Sequence, residues 1–346
     1  MIEPPAADAY AAARRRFDAL AKPTGALGRL EELAAWVAGC QGECPARPLD
    51  RVRAVILAGD HGVSLPSLSK PSVSAYPRDV TPAMVRLLVA GRAAANVLAR
   101  QHGVTLGVLD LGVDEDLADL PAAVSAYKIR RSSGSIETTD ALTAEECERA
   151  LTTGRAIAAE EIAAGAELLV LGDMGIGNTT PATALIAATF GVGAEEVVGR
   201  GTGVDDARLQ HKTDVVTAAL RRLGDRAADP FTRLASLGSA DLAAGVGFLQ
   251  AAATSRVPVL LDGIVSLAEA AVADDLTPGV TAWCRAGHRS TEPAQRLALD
   301  KLGLAAVLDL DLRLGEGTGA LAAVPILRSA VLLLRDMALL ADLSGG

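Results

Sequence analysis

The feature that most constrains this chain is a succession of short apolar runs, each closing on glycine or a polar loop residue and separated by stretches with helical periodicity. The runs read VRAVILAGDHGV, VTLGVLDLGVD, AELLVLGDMGIGNTT, VPVLLDGIVS, VTAWCRAGHRS and AAVLDLDLRLGEGTG. Between them lie segments such as VTPAMVRLLVAGRAAANVLARQH and TAEECERALTTGRAIAAEEIAAG, which read as helices. Nearly continuous apolar character suits strands buried on both faces, and strand–helix alternation suits a covered parallel sheet. The expectation is an α/β fold: a Rossmann-like parallel sheet of about six strands, flanked by helices. Two helical segments, AYAAARRRFDALAKP and GRLEELAAWVAG, precede the first run, and PILRSAVLLLRDMALLADL closes the chain as an amphipathic helix that can pack on them.

With 346 residues, the chain is long enough for one large or two medium domains. Only 3% of it is aromatic, while alanine and glycine abound, so helices and strands can approach closely. A formal net charge of −9 argues against nonspecific nucleic-acid binding, which needs clustered Lys and Arg, yet it permits a local cationic pocket for a small anion. Cys40 and Cys44 lack a second Cys or His pair at zinc spacing, so no metal is expected, and Cys147 and Cys284 add no disulfide framework. The opening segment MIEPPAADAYAAARRRF has no apolar signal core, and no uninterrupted apolar run reaches about 18 residues. A soluble, cytoplasmic protein without a membrane span is the expectation.

Ligands of open parallel sheets bind at the carboxyl ends of the strands, and there the glycine- and charge-bearing segments fall. In GDMGIGNTTPATAL, glycines at 172, 175 and 177 allow backbone N–H groups to converge on an anion at the start of a helix, with Thr179 and Thr180 adding hydroxyls. Asn178 stands where a Walker A lysine belongs, which excludes ordinary ATP hydrolysis by this loop, and Thr180 replaces the third glycine of a dinucleotide fingerprint. GRGTGVDDARLQHK brings Arg200 and Lys212 beside a second glycine pair. Asp60 and His61 read as loop-ordering hydrogen bonders, and His288 as structural. Segment 64–77, SLPSLSKPSVSAYP, reads as a loop able to cover a pocket. In LRLGEGTGAL, Glu316 lies between Gly315 and Gly317, where a carboxylate can reach a substrate unobstructed; partial burial would raise its pKa and make it a better base. Asp173 is a second carboxylate at the same edge.

The ordered segments KPTGALGRLE, AGDHGV, VSAYP, GDMGIGNTT, GRGTG, VLLDG, GHRSTEP and LRLGEGTGA closely resemble the nicotinate-nucleotide:dimethylbenzimidazole phosphoribosyltransferase family, from about Lys22 to the last helix. The resemblance implies transfer of the phosphoribosyl group of nicotinate mononucleotide to 5,6-dimethylbenzimidazole, giving α-ribazole 5′-phosphate and nicotinate for the lower ligand of cobalamin. It implies Glu316 as the base that takes the benzimidazole proton, with Asp173 beside it. It implies a phosphate on Gly175, Gly177, Asn178, Thr179 and Thr180, with Lys212, Arg200 and Gly203 adding contacts, and Ser290 of GHRSTEP at the substrate. Ser74, Tyr76 and Leu314 belong to segments that look like the benzimidazole pocket. It further implies a small helical domain (1–48 plus 322–346), a large α/β nucleotide-binding domain (49–321), a homodimer and no cofactor.

Two departures matter: the shorter carboxylate at Asp173 bears on a water or a contact, and the segment at Pro82 and Ala83 on which base is accepted. Many members have glutamate where this chain has Asp173, and many carry glutamine within the segment that here reads RDVTPAM, with Pro82 and Ala83. The insertion-like LPSLSK after AGDHGV is a third difference. Two other readings keep the phosphate loop: a nucleosidase in which water replaces the aromatic base, and a nucleotide sensor without catalysis. The sensor gives no reason to place a carboxylate at position 316.

Overall fold

The computed structural model describes residues 1–65 and 72–344. Five parallel strands form the central sheet: β1 (Val52–Gly59), β2 (Thr105–Gly112), β3 (Leu168–Met174), β4 (Val259–Leu261) and β5 (Cys284–Ala286), in the order β2-β1-β3-β4-β5. Every residue of β3 is buried, and β1 is nearly so, as Val, Ile and Leu on both strand faces require. The order reverses between β1 and β3, because the chain leaves β1 toward β2 and returns on the other side. A crevice opens at such a switch point, outside the strand ends. Register brings Leu57 opposite Asp173 and Leu261 opposite both Leu171 and Ala286, so the ends of β1, β3, β4 and β5 lie along one edge.

Among the described residues the main sheet thus has five strands rather than about six. The sixth apolar run contributes only β7 (Leu308–Asp309), which pairs in parallel with β6 (His288–Arg289). Val307 N–H still donates to the Ala286 carbonyl at 2.8 Å, so this run flanks β5 without extending the ladder. The chain breaks register at Gly287, where a Cβ would lie 2.5 Å from Ala320 Cα in the helix crossing that edge.

Helices cover both faces of the sheet. Ala144–Ala163 and Ala240–Thr254 pack closely because Gly154 and Gly247 face each other's helices: an added Cβ would sit 1.8 Å from the Ala244 carbonyl oxygen and 2.0 Å from that of Leu151. The segment expected as one helix over 80–102 is two, Val80–Val89 and Ala94–Gln101. Gly91 takes φ +73° between them, and the Asn96 side chain accepts from Ala93 N–H at 3.0 Å. The closing helix runs from Thr318 to Asp336 and starts before Pro325, which the helix accommodates in its interior. It is long and apolar enough to cross a membrane by length and composition, as is the stretch Val80–Gln101, yet it buries Leu321, Val324, Leu327, Val331 and Leu334 in the core.

The chain ends meet. Arg16 donates to the carbonyls of Leu334 (2.7 Å) and Arg335 (3.0 Å), and Ala21 N–H donates to Ala338. The KPTGALGRLE motif folds on itself, with Lys22 paired to the buried Glu31 at 2.8 Å and Leu27 N–H donating to the same carboxylate. Helix Thr318–Asp336 passes without interruption across positions 321 and 322, from the sheet edge to these terminal helices. The four cysteines are free thiols.

Candidate active site

A cleft of about 380 Å³ opens at the carboxyl edge of the sheet. Its floor comes from the end of β3 (Asp173, Met174, Gly175, Ile176), with Asn178 and Thr179 at the start of helix Thr179–Phe190. The loop Arg313–Glu316 forms a second wall, His288, Ser290 and Glu292 a third, and Tyr76, Val80 and Met84 an apolar fourth.

Glu316 is held by its loop in an unusual way. Gly315, Glu316 and Gly317 take φ values of +82°, +59° and +75°, three left-handed residues in succession. That conformation suits glycine and costs energy at glutamate. The loop crosses directly over β3 at Gly172, where a Cβ would lie 2.7 Å from Gly317 N, and Glu316 N–H donates to the Asp173 carbonyl at 3.2 Å. Gly172, expected in the anion loop, instead admits the backbone that carries Glu316. Glu316 is 4% exposed, lines the cleft, and leaves its buried Oε2 without a hydrogen-bond partner among the described residues. Burial, with Asp262 next in weight, pushes this carboxyl up to about 6.

Asp173 lies against it. Its Oδ2 accepts from Asn178 Nδ2 at 2.6 Å. Burial first, then Asp262, Asp241 and Glu316, push its carboxyl well above the usual range.

The glycine-rich loop is less open than the sequence suggests. Ile176 N–H donates to Thr81 Oγ1, Asn178 N–H to the Gly175 carbonyl and Thr180 N–H to that of Gly177, so these three donors are already engaged. Gly175 and Thr179 line the cleft with Asn178; Gly177 (φ +90°) and the fully buried Thr180 lie behind it. Gly175 is backed so tightly that a Cβ would meet the Gly59 carbonyl oxygen at 2.0 Å.

Lys212 is buried behind Thr179, donating to Thr179 Oγ1 at 2.9 Å and to the Gly199 carbonyl at 3.1 Å. Burial lowers its ammonium to about 8 against the opposing pull of Glu292. Arg200 points elsewhere: it pairs with Asp206 at 2.5 Å and donates to the Val204 carbonyl. Arg200 and Gly203 line a second, adjoining cavity, which shares Gly201, Glu292 and Arg313 with the main cleft.

At the other end, Tyr76 (55% exposed) and Leu314 (58% exposed) form an apolar rim. Ser74 does not line the cleft; its Oγ lies 3.4 Å from the hydroxyl of Thr202, which does. Ser290 lines it from the third wall, its N–H held by Gln295 Oε1. Neither Pro82 nor Ala83 lines the cleft; their helix presents Val80 and Met84 instead. Residues 66–71, which include most of LPSLSK and part of the expected covering loop, lie outside the described residues.

Residues without a chemical role in the sequence reading also stand here: Glu292 and His288 line the cleft and Asp262 is buried behind it, and their chemistry depends on tertiary neighbours. Glu292 accepts from Gly201 N–H at 2.8 Å and so secures the second glycine loop. Arg313 donates to the Gly201 carbonyl at 3.2 Å and adds a cation where the two cavities meet. His61 is a correction: its ring is buried with both nitrogens unpartnered among the described residues, Nε2 lying 3.6 Å from Asp241, whereas Asp60 does order loops by accepting from Asp114 N–H.

A cleft at the reversal of a doubly wound parallel sheet, floored by a glycine-led helix start and a buried carboxylate, marks an α/β enzyme acting on a small molecule. A family model described as Phosphoribosyltransferase matches residues 2–343. A protein of Mycobacterium avium (strain 104) named nicotinate-nucleotide--dimethylbenzimidazole phosphoribosyltransferase is 53% identical over 341 residues, covering 99% of this chain and 96% of its own. Two crystal structures from Thermus thermophilus are similar throughout. CobT has a TM-score of 0.92 at 43% identity (97% of this chain, 98% of its own). The other, described as the same phosphoribosyltransferase, has 0.90 at 40% (99% of each). The chain belongs to this family and is a phosphoribosyltransferase.

Proposed function

We propose that this enzyme transfers the phosphoribosyl group of nicotinate mononucleotide to 5,6-dimethylbenzimidazole or a related base, giving α-ribazole 5′-phosphate and nicotinate for the lower ligand of cobalamin. The observation that carries the reading is the buried Oε2 of Glu316, unpartnered among the described residues, in the same cleft as Gly175, Asn178 and Thr179. An acceptor N–H placed in the cleft gives that oxygen the bond it lacks. The benzimidazole nitrogen then forms its bond to the ribose anomeric carbon as the bond to the nicotinate nitrogen breaks, with inversion. The pyridinium leaves as a neutral ring nitrogen and needs no proton, so one base suffices. The benzimidazole N–H proton goes to Glu316.

Burial and the carboxylates of Asp262, Asp241 and Glu316 raise the Asp173 carboxyl, which disfavours a second negative charge beside that base. The phosphate sits at the start of helix Thr179–Phe190, where the helix dipole, Lys212 acting through Thr179, and Arg313 supply positive potential. Gly177 and Thr180 support this turn from behind, while Arg200 and Gly203 shape the adjoining cavity. The base packs among Tyr76, Val80, Met84 and Leu314. A second copy of the chain covers the apolar rim in a homodimer, which sedimentation tests as a species of twice the 35.3 kDa chain mass.

Incubation with nicotinate mononucleotide, with and without dimethylbenzimidazole, tests the reaction. Nicotinate released only with the base, together with α-ribazole 5′-phosphate, is the expected result. Release without the base replaces transfer by hydrolysis, and no release leaves a binding protein.

A further inference from the structure

Asp262 follows β4 directly and is fully buried. Its Oδ1 accepts from Gly319 N–H (2.7 Å) and Ala320 N–H (3.0 Å), and its Oδ2 from Gly317 N–H (3.1 Å). These donors open helix Thr318–Asp336, and the first belongs to the residue after Glu316. Helix starts are ordinarily capped from their own N-cap residue; Gly317 has no side chain to do so, and the carboxylate arrives from another strand. Three charge-assisted bonds offset the burial of the charge. The same bonds fix the residues whose left-handed backbone carries Glu316.

We propose that Asp262 is a positioning residue for the phosphoribosyl transfer: its grip on the amides of Gly317, Gly319 and Ala320 holds Glu316 left-handed with its carboxylate turned into the cleft. The inference rests on the reading of Glu316 as the base. Asp262 also acts by its charge. Around Glu316 stand Asp173 on β3, Asp262 after β4, His288 and Glu292 from the segment after β5, and Arg313 from its own loop; Asp241 and Glu269 lie deeper, beside Asp173. Of these, Asp262 contributes the repulsion felt at Glu316, beyond burial itself. His288 Nε2 lies 3.5 Å from Asp262 Oδ1 and faces the same carboxylate from the other side.

Asp262→Asn keeps the shape and one acceptor oxygen but loses the charge and the bond to Gly317. The expected result is a kcat lower by about 10–100-fold, the scale of a misplaced reacting group, a nearly unchanged KM for nicotinate mononucleotide, and an acid limb of kcat/KM shifted to lower pH. Combined with Glu316→Gln it should slow the enzyme no further than Glu316→Gln alone. An unmoved limb, or losses that multiply, overturn the proposal. Asp262→Glu keeps the charge and displaces the amides, so kcat should fall with the limb in place. This second variant serves if the first does not fold, and a wild-type kcat in it is equally fatal. Infrared titration of the Glu316 carboxyl, with Glu316→Gln as reference, separates this inference from the reaction itself. Should the wild type transfer no phosphoribosyl group, the functional reading falls and takes the role of Asp262 in transfer with it; with an active wild type, a titration moving to lower pH in Asp262→Asn supports Asp262, and an unmoved one refutes this inference while leaving the reaction in place.

Discussion

Glu316 N–H donates to the main-chain carbonyl of Asp173, tying two carboxylate-bearing residues from distant parts of the sequence backbone to backbone at 3.2 Å. The bond fixes the Glu316 loop on the end of β3 while leaving both side chains free to face the cleft. Burial raises both carboxyls, that of Glu316 to about 6 and that of Asp173 well above its usual range.

The pH dependence of kcat/KM should be bell-shaped. Glu316 must be ionised to accept a proton, so activity rises as pH passes upward through about 6. Lys212 must be protonated to attract the nucleotide, so binding weakens as pH passes upward through about 8. Profiles of kcat/KM measured on the free enzyme check both limbs.

Glu316→Gln should lower kcat by roughly 10²–10⁴, the range for losing a general base, with KM for nicotinate mononucleotide largely kept. The acid limb should vanish with it. Steady-state kinetics showing near-normal turnover would remove Glu316 from the reaction.

Lys212→Met keeps length and apolar packing but removes the charge behind Thr179. Bonds from charged groups contribute about 1.5–3 kcal/mol, so KM for the nucleotide should rise about 10–100-fold while kcat changes less. An unchanged KM in initial-rate measurements would place the lysine outside the phosphate site.

Gly172→Ala puts a methyl group 2.7 Å from Gly317 N and 2.9 Å from the Glu316 carbonyl carbon. Backbone on both sides leaves little room to yield. Overpacking of this kind costs about 1–3 kcal/mol, and the Glu316 loop should lift from β3, lowering kcat as well as the melting temperature. Calorimetry and kinetics that both match wild type would show that loop and strand can part freely.

Much of this architecture is legible in the sequence. The apolar runs mark the strands because buried parallel strands tolerate little else, and Glu316, Asp173, Asn178 and Thr179 do share one cleft. The rest depends on contacts that local pattern does not encode. Gly172 reads as a phosphate-loop glycine until another backbone is found lying across it. Arg200 reads as a free cation, yet Asp206 and the Val204 carbonyl occupy it. The sixth run carries the apolar signature of a full strand, but helix Thr318–Asp336 occupies the sheet edge at Gly287 and leaves it two paired residues. Asp262 looks like any strand-end aspartate, because its partners lie more than fifty residues away.

Helix Thr318–Asp336 begins at the Glu316 loop and finishes where Arg16 grips its last carbonyls. One helix therefore links the Glu316 loop to the two terminal segments of the chain. Trimming either segment should lower the melting temperature and kcat together, as calorimetry and initial rates on the truncated protein would show.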